Sequence, residues 1–315
     1  MNLCQAILKT LGDGRPKSGP ALARELGVRP AAVRAAIAGL SEGLVQRYGG
    51  RYVVPKVFRP LDGARIRAAL GAQASALAEI TIADEIPSTN LALLARDAPG
   101  VCVCLAERQT AGRGRRGRSW QATAYGNLLL SIAWNTQQTA RLGAVSLGSG
   151  VALVRALEDL GVAGAALKWP NDVLWQGRKL AGILVEMRGG PSAMRVVVGV
   201  GLNGTVGPRE AAAIDQPWVD LRTILGEVDR DRVAAAVMAR LLELIQDYEA
   251  QRLEELIQAW RTHHAWAGRL VEVHEREGVS WVGTAVDVDE DGALVVETAA
   301  GRRTVRAGEV SVRST

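Results

Sequence analysis

Residues 112–118 read Gly-Arg-Gly-Arg-Arg-Gly-Arg, and Ser119 and Trp120 follow them. Guanidinium groups grip carboxylates and phosphates bidentately, and glycines let a backbone come close to a ligand. An apolar run, Val101–Ala106, leads into the segment, and an aromatic able to stack on a purine closes it. The chemistry this suggests is capture of an anionic, nucleotide-containing ligand under a loop that closes over it. The plainer alternative is a solvated basic loop or a nucleic-acid patch. Gly112-x4-Gly117-Arg118-Ser119 is one residue from the P-loop pattern, with Arg where Lys is required. A P-loop also needs a helix directly after it, whereas the next residues read as a turn and then a strand, Leu128–Trp134. Context excludes the P-loop.

Four further segments combine small residues with polar groups. They are Ser88-Thr89-Asn90, Lys168-Trp169-Pro170-Asn171-Asp172, Lys179-Leu180-Ala181-Gly182-Ile183 and Gly199-Val200-Gly201-Leu202-Asn203, with Gln109 just ahead of the arginines. Each has a bland reading by itself: a helix N-cap after Pro87, a turn, a strand end, a bulge. Together they form a constellation of cations, carboxylate and amides suited to binding a polar, anionic substrate.

Three regions must position it. Leu3–Leu11 has helical apolar periodicity; Ser18 is a fitting N-cap for Gly19–Leu26, which Gly27 stops. Pro30 suits the first turn of a third helix carrying Val33, Ile37 and Leu40. Helix, tight turn, helix in a basic segment is the helix-turn-helix arrangement. Leu44–Tyr48, Gly49-Gly50 and Arg51–Val54 then read as a hairpin, the wing of a winged helix. Arg65–Ala78 reads as a connecting helix. From about Ile80 to Trp266, strands (Val101–Ala106, Leu128–Trp134, Ile183–Glu186, Val196–Val200) mix with helices (Leu91–Arg96, Leu147–Leu160, Val233–Trp260), a mixed α/β domain. The remainder switches to short strands, Arg269–His274, Trp281–Val288, Leu294–Thr298 and Arg303–Val305, with an Asp291-Gly292 turn: a small β-barrel.

Charge separates the regions. The 315 residues carry 38 Lys and Arg against 33 Asp and Glu, a net of +5. Residues 1–65 hold eleven basic and four acidic residues, a net of +7 that leaves −2 for the rest. The basicity belongs to the N-terminal segment and implies a polyanion there, with Arg34 as the candidate DNA-contacting residue of the third helix. Cys4, Cys102 and Cys104 make neither a disulfide framework nor a metal site; Cys102 and Cys104 share one face of a strand as buried, inert thiols. No metal-ligating cluster is read. Without a signal peptide or an apolar stretch long enough to cross a bilayer, the chain reads as a cytoplasmic protein.

The Gly112–Trp120 loop, the Lys168–Asp172 motif and the strand Lys179–Glu186, in that order, closely resemble the biotin protein ligases, specifically the two-function kind that also represses the biotin operon. The resemblance covers essentially the whole chain. It implies an α+β multi-domain protein: a winged helix-turn-helix over 1–65, a ligase domain over 66–266 and an SH3-like barrel over 267–315. It implies that biotin and MgATP give biotinyl-5′-adenylate, whose biotin passes to a lysine of the biotin carboxyl carrier protein of acetyl-CoA carboxylase. The implied catalytic residues are Lys179, Arg115 and Asp172. Ser88, Thr89, Asn90 and Gln109 would serve the ureido ring; Gly112, Arg113, Gly114, Arg115 and Arg118 would order over biotin and phosphate. Trp120 would cover the adenine side, and Lys168, Asn171 and Asp172 the phosphate and Mg2+ region. Gly199 and Gly201 would let a strand approach the flat bicyclic ring, Gly182 and Asn203 would be further cofactor-binding residues, and Gln216-Pro217-Trp218 resembles a second nucleotide-side loop. Operator DNA and a homodimer formed on adenylate binding are the implied further partners. The alternative is a ligase whose winged helix no longer reads an operator.

Overall fold

The structure, a computed structural model, describes residues 3–40, 44–55, 58–139, 141–190, 193–275, 279–307 and 310–314. Its first region holds α1 (Leu3–Leu11), β1 (Lys17–Ser18), α2 (Gly19–Glu25), α3 (Pro30–Ala38), β2 (Gln46–Tyr48) and β3 (Arg51–Val53). The Ser18 hydroxyl accepts the Ala21 N–H at 3.3 Å, the expected N-cap of α2. Val28 N–H closes the other end on Ala23 O at 2.9 Å. Ile7, Leu8, Leu11, Leu22 and Val33 pack with Leu44, Val54 and Phe58 in one buried cluster. Gly49 and Gly50, at φ 54° and 77°, supply the primed turn between β2 and β3 that L side chains resist. β1 adds a third strand on β3; two residues are too few to show a period, so the sequence does not announce it.

The central sheet has the order β4-β5-β6-β10-β9-β8-β7. Its strands are β4 (Leu77–Ala83), β5 (Val101–Ala106), β6 (Leu128–Thr136), β7 (Ala165–Lys168), β8 (Asp172–Trp175), β9 (Arg178–Gly190) and β10 (Ala193–Leu202). Only β4 and β5 run parallel; the other neighbours are antiparallel. The helices are α4 (Gly63–Leu70), α5 (Thr89–Ala95), α6 (Leu142–Asp159), α7 (Pro208–Ala213), α8 (Leu221–Leu225), α9 (Arg230–Glu249) and α10 (Leu253–Thr262). The sheet splits its strand residues by period two. Val103 and Leu105 join the large core under α6 and α9, whereas Cys102 and Cys104 face Leu93 of α5. Both thiols are free, and burial pushes that of Cys104 up to about 11.

Two element readings need correction. The expected helix over Arg65–Ala78 stops at Leu70, passes through a 3-10 turn and becomes β4 from Leu77. The strand forms because its backbone pairs with β5; its largely half-buried residues give little period of their own. The single helical stretch over Val233–Trp260 is two helices, α9 and α10. Gln251 takes φ 59°, Arg252 N–H bonds Asp247 O at 2.8 Å and Gln251 N–H bonds Tyr248 O at 3.0 Å. That is a Schellman stop with glutamine in the left-handed position, which residue type does not signal.

The last strands are β11 (Leu270–Glu275), β12 (Ser280–Val288), β13 (Leu294–Thr298), β14 (Gly301–Val305) and β15 (Val310–Ser314). They form an antiparallel sheet ordered β14-β13-β12-β11-β15. Among the described residues β14 and β15 are edges that do not pair, so the sheet is open. Val271, Val273 and Ala285 belong to the same core as the central sheet, and Trp169 Nε1 donates to Gly292 O at 3.0 Å across the joint. Among the described residues no helix is long and apolar enough to cross a membrane.

Candidate active site

A cavity of about 870 Å3 opens where the N-terminal end of α5, the arginine segment and the strands β8, β9 and β10 meet. Its wall brings together Ser88, Thr89, Asn90 and Gln109 with Arg113, Gly114, Arg115, Arg118 and Trp120. Lys168, Asn171, Asp172, Lys179, Gly182, Gly199, Gly201 and Asn203 complete it. The five segments noted in the sequence therefore converge on one place. Gly112 stands just behind the wall, where its carbonyl accepts the Trp120 N–H at 3.0 Å. Arg34 is not on this wall and is exposed on α3.

The buried end of the cavity is polar. Ser88 caps α5, and Ser88, Thr89 and Asn90 are nearly inaccessible. Thr89 N–H donates to Gln109 Oε1 at 2.7 Å. Ser131, on β6, lies 2.7 Å from Thr89 Oγ1 and 2.5 Å from Asn90 Oδ1. Such a cluster orients its members because each buried donor and acceptor needs a partner.

The arginine segment is a compact hairpin. Gly114 N–H bonds Arg118 O at 2.7 Å, Arg113 bridges Ser119, and Arg116 turns the chain at φ 58°. No helix follows, in keeping with exclusion of the P-loop. Arg115 reaches Asn171 Oδ1 at a long 3.4 Å. Burial, and then the neighbouring Arg116, hold its pKa below the ordinary guanidinium value, so a negative ligand there would be favoured.

Lys179 sits near the start of β9, beside the register shift between β8 and β9. Its N–H bonds Pro217 O at 2.9 Å and its carbonyl accepts Val219 N–H at 3.0 Å. The Nζ is 2.8 Å from Asp172 Oδ1, with both side chains mostly buried, and lies 5.4 Å over the Trp120 ring. A lysine fixed by a carboxylate at the edge of a polar pocket that arginines also line can stabilise negative charge developing on a phosphate or carboxylate.

Residues 82–203 match the model of the biotin/lipoate A/B protein ligase family, and residues 268–313 that of the biotin protein ligase C-terminal domain. The chain is 32% identical to the bifunctional ligase/repressor BirA of Salmonella typhimurium, over 98% of this chain and 97% of that protein. It is 36% identical to the biotin–[acetyl-CoA-carboxylase] ligase of Mycobacterium tuberculosis, over 80% of this chain and 95% of that one. Among solved structures, the biotin protein ligase of Aquifex aeolicus in complex with biotin and ATP superposes with a TM-score of 0.66 at 27% identity, covering 76% of this chain and all of that one. The chain belongs to the biotin protein ligase family. It is a biotin ligase.

Within the ligase some residues do other work than their types suggested. The room at Gly199 is filled by Asn90, whose Oδ1 would lie 2.1 Å from an added Cβ, and that at Gly201 by the Trp120 indole, 2.5 Å from one. These glycines accommodate protein side chains. Trp120 packs on the strand, and its buried Nε1 has no hydrogen-bond partner among the described residues. The Asn203 amide is spent on Lys179 O and Val219 O, at 3.3 and 3.1 Å, so it positions the Lys179 backbone. Lys168 lies 4.8 Å over the Trp266 ring. The sequence reading of the ligase passed over Ser131 and Glu186. The first was legible as a hydroxyl inside an apolar strand; the second stood at the end of the Lys179–Glu186 motif without a role.

Proposed function

We propose that the ligase joins biotin to ATP and then to a protein lysine. A biotin carboxylate oxygen bonds the α-phosphorus of ATP while the bond to pyrophosphate breaks, giving biotinyl-5′-adenylate. The ε-amine of one lysine on the biotin carboxyl carrier protein of acetyl-CoA carboxylase then attacks the acyl carbon; AMP leaves and the amine gives up a proton. The observation that carries this reading is Lys179 Nζ, held 2.8 Å from Asp172 between the polar pocket and the arginine hairpin. In the first step two negative groups approach one another, so a fixed cation stabilises the transition state most. Ser88, Thr89, Asn90 and Gln109 suit the ureido ring; Arg115 suits the phosphate, and Trp120 the boundary with the nucleotide. Lys168, Asn171 and Asp172 suit the phosphate tail.

Mg2+ prefers carboxylate and phosphate oxygens and keeps several waters. Asp172 and Asp215 are the carboxylates on the cavity wall, and among the described residues no group of three or more His, Cys, Asp or Glu converges. The residues fit an ion that enters with the triphosphate and meets Asp172, where it would neutralise phosphate charge. Incubation with biotin, MgATP and a carrier domain, followed by intact mass, tests the whole reading. A carrier that gains no biotinyl group overturns it.

We read residues 1–65 as a winged helix-turn-helix, 66–266 as the catalytic domain and 267–315 as SH3-like. A repressor activity is supported by the name of the Salmonella relative and by five exposed arginines on and around α2, α3 and the hairpin: Arg24, Arg29, Arg34, Arg47 and Arg51. Binding would be chiefly to phosphates, since α3 carries only Arg34 as a long polar side chain. Pairing of two such weak readers on a two-fold site makes an adenylate-induced homodimer the form that binds. Sedimentation that stays monomeric with adenylate overturns that form, and a filter-binding titration on the biotin-gene promoter separates ligase-repressor from ligase alone.

A further inference from the structure

One carboxylate ties the arginine hairpin to the polar pocket. Glu186, on β9, is mostly buried, and its Oε1 lies 2.9 Å from Arg113 Nη2. Its Oε2 accepts the Asn90 Nδ2–H at 2.9 Å. Asn90 Nδ2 also donates to Leu184 O at 3.1 Å. A carboxylate only accepts, so the amide nitrogen of Asn90 must face Glu186, leaving Oδ1 for the Ser131 hydroxyl. Ser131 has a single proton, and Asn90 Oδ1 takes it. The Thr89 hydroxyl lies 2.7 Å from Ser131 Oγ and donates to Gln109 Oε1 at 3.1 Å. Donors thus run in one direction, from Ser131 through Asn90 to Glu186, where Arg113 meets them from the loop.

Resting on the ligase reading above, we propose that Glu186 is the anchor of the arginine hairpin: a positioning residue that holds the loop over the pocket through Arg113. A negative group beside a cavity for anions opposes ligand binding unless a cation neutralises it, and Arg113 does so. Arg113 and Arg115 therefore divide the work. Arg113 spends its charge on Glu186 and fixes the loop, whereas Arg115, whose hydrogen bond to Asn171 is long at 3.4 Å, is directed at phosphate. Through Asn90, the same carboxylate links the loop to the pocket that receives the ring.

The test is retention of the intermediate. Enzyme is loaded with biotin and ATP labelled at the α-phosphate, without carrier, then chased with unlabelled substrates while bound label is counted. Glu186→Gln keeps an acceptor for Asn90 and removes the charge facing Arg113. It is expected to release adenylate roughly three- to tenfold faster than wild type, with a smaller change in the rate of adenylate formation. Arg113→Gln, at an exposed guanidinium, is expected to do the same. In the Arg113→Gln background Glu186→Gln should add no further loss, because it removes the carboxylate that Arg113 no longer neutralises, which a general loss of fold would not reproduce. Wild-type release from either single variant, or effects that multiply in the double variant, overturns the anchor. If wild type itself forms no labelled adenylate, the ligase reading falls and the anchor with it.

Discussion

Lys179 has Asp172 at 2.8 Å to hold it, whereas among the described residues the Arg115 side chain has only Asn171, at 3.4 Å. A cation already paired and fixed loses little on reaction and acts where charge develops, so Lys179→Ala should lower the rate of adenylate formation about a hundredfold or more. ATP binding should change far less, because the contact strengthens in the transition state. Pyrophosphate release at varied biotin and ATP checks this; normal turnover with only a raised biotin KM contradicts it. Arg115→Gly should instead spare the first step and lose the product. Removal of a charge-assisted contact costs roughly 1.5–3 kcal/mol, about ten- to a hundredfold in retention. Glycine also adds entropy to the open loop. The escaped mixed anhydride should then biotinylate serum albumin added as a bystander, read on a streptavidin blot. Albumin labelled equally by wild type and variant would mean that Arg115 contains nothing.

At the scale of elements, the site is a set of strand and helix ends whose side chains interlock. β10 can carry Asn90 against it only because residue 199 has no side chain; a Cβ there would sit 2.1 Å from Asn90 Oδ1. Gly199→Ala should push Asn90 away from Ser131 and Glu186. Overpacking of this kind costs about 1–3 kcal/mol, and the loss should fall on the pocket: biotin KM rises roughly five- to a hundredfold while ATP KM holds. Steady-state adenylate synthesis measures both. Unchanged biotin KM would remove Asn90 from the ring's contacts. Periodicity located β5 and most of β6, since fully buried strands read as continuous apolar runs. It missed β4 and the break at Gln251, because one is stabilised by its neighbour's backbone and the other by a turn that any residue can occupy at some cost.

At the scale of the whole molecule, a buried ion pair within the ligase domain holds the segment that leads in from the N-terminal region. Glu107 and Arg230 are 1% and 3% exposed and lie 2.7 Å apart. Glu107 also accepts the Leu61 N–H at 2.5 Å, and Arg230 donates to Arg59 O at 2.6 Å. The pair thus clamps the connection after β3 onto the end of β5 and the start of α9. Glu107→Ala would leave a buried guanidinium unpaired, a loss of about 3–5 kcal/mol; thermal unfolding measures it, and an unchanged midpoint would dismiss the clamp. Beyond that joint, the +7 of residues 1–65 should make operator binding fall steeply with salt. Arg34→Ala should weaken it with adenylate synthesis near normal. Binding that survives deletion of 1–65 would move the DNA site elsewhere.

Residue type and order alone determined the chemistry: cations, carboxylate and amides in motifs specific enough to indicate a biotin ligase, and a basic N-terminal segment apart from them. They also determined the Ser18 cap of α2, Pro30 in the first turn of α3 and the Gly49-Gly50 hairpin, because these depend on neighbours a few residues away. What Glu186, Ser131, Gly199 and Asn203 do was decided by tertiary structure. Glu186 and Asn90 are 96 residues apart in sequence and 2.9 Å apart in space, and they meet because α5 packs on the sheet in which β10 pairs with β6 and β9. A side chain's partners follow from burial and register, which no local pattern encodes; its charge and hydrogen-bonding capacity follow from its type alone.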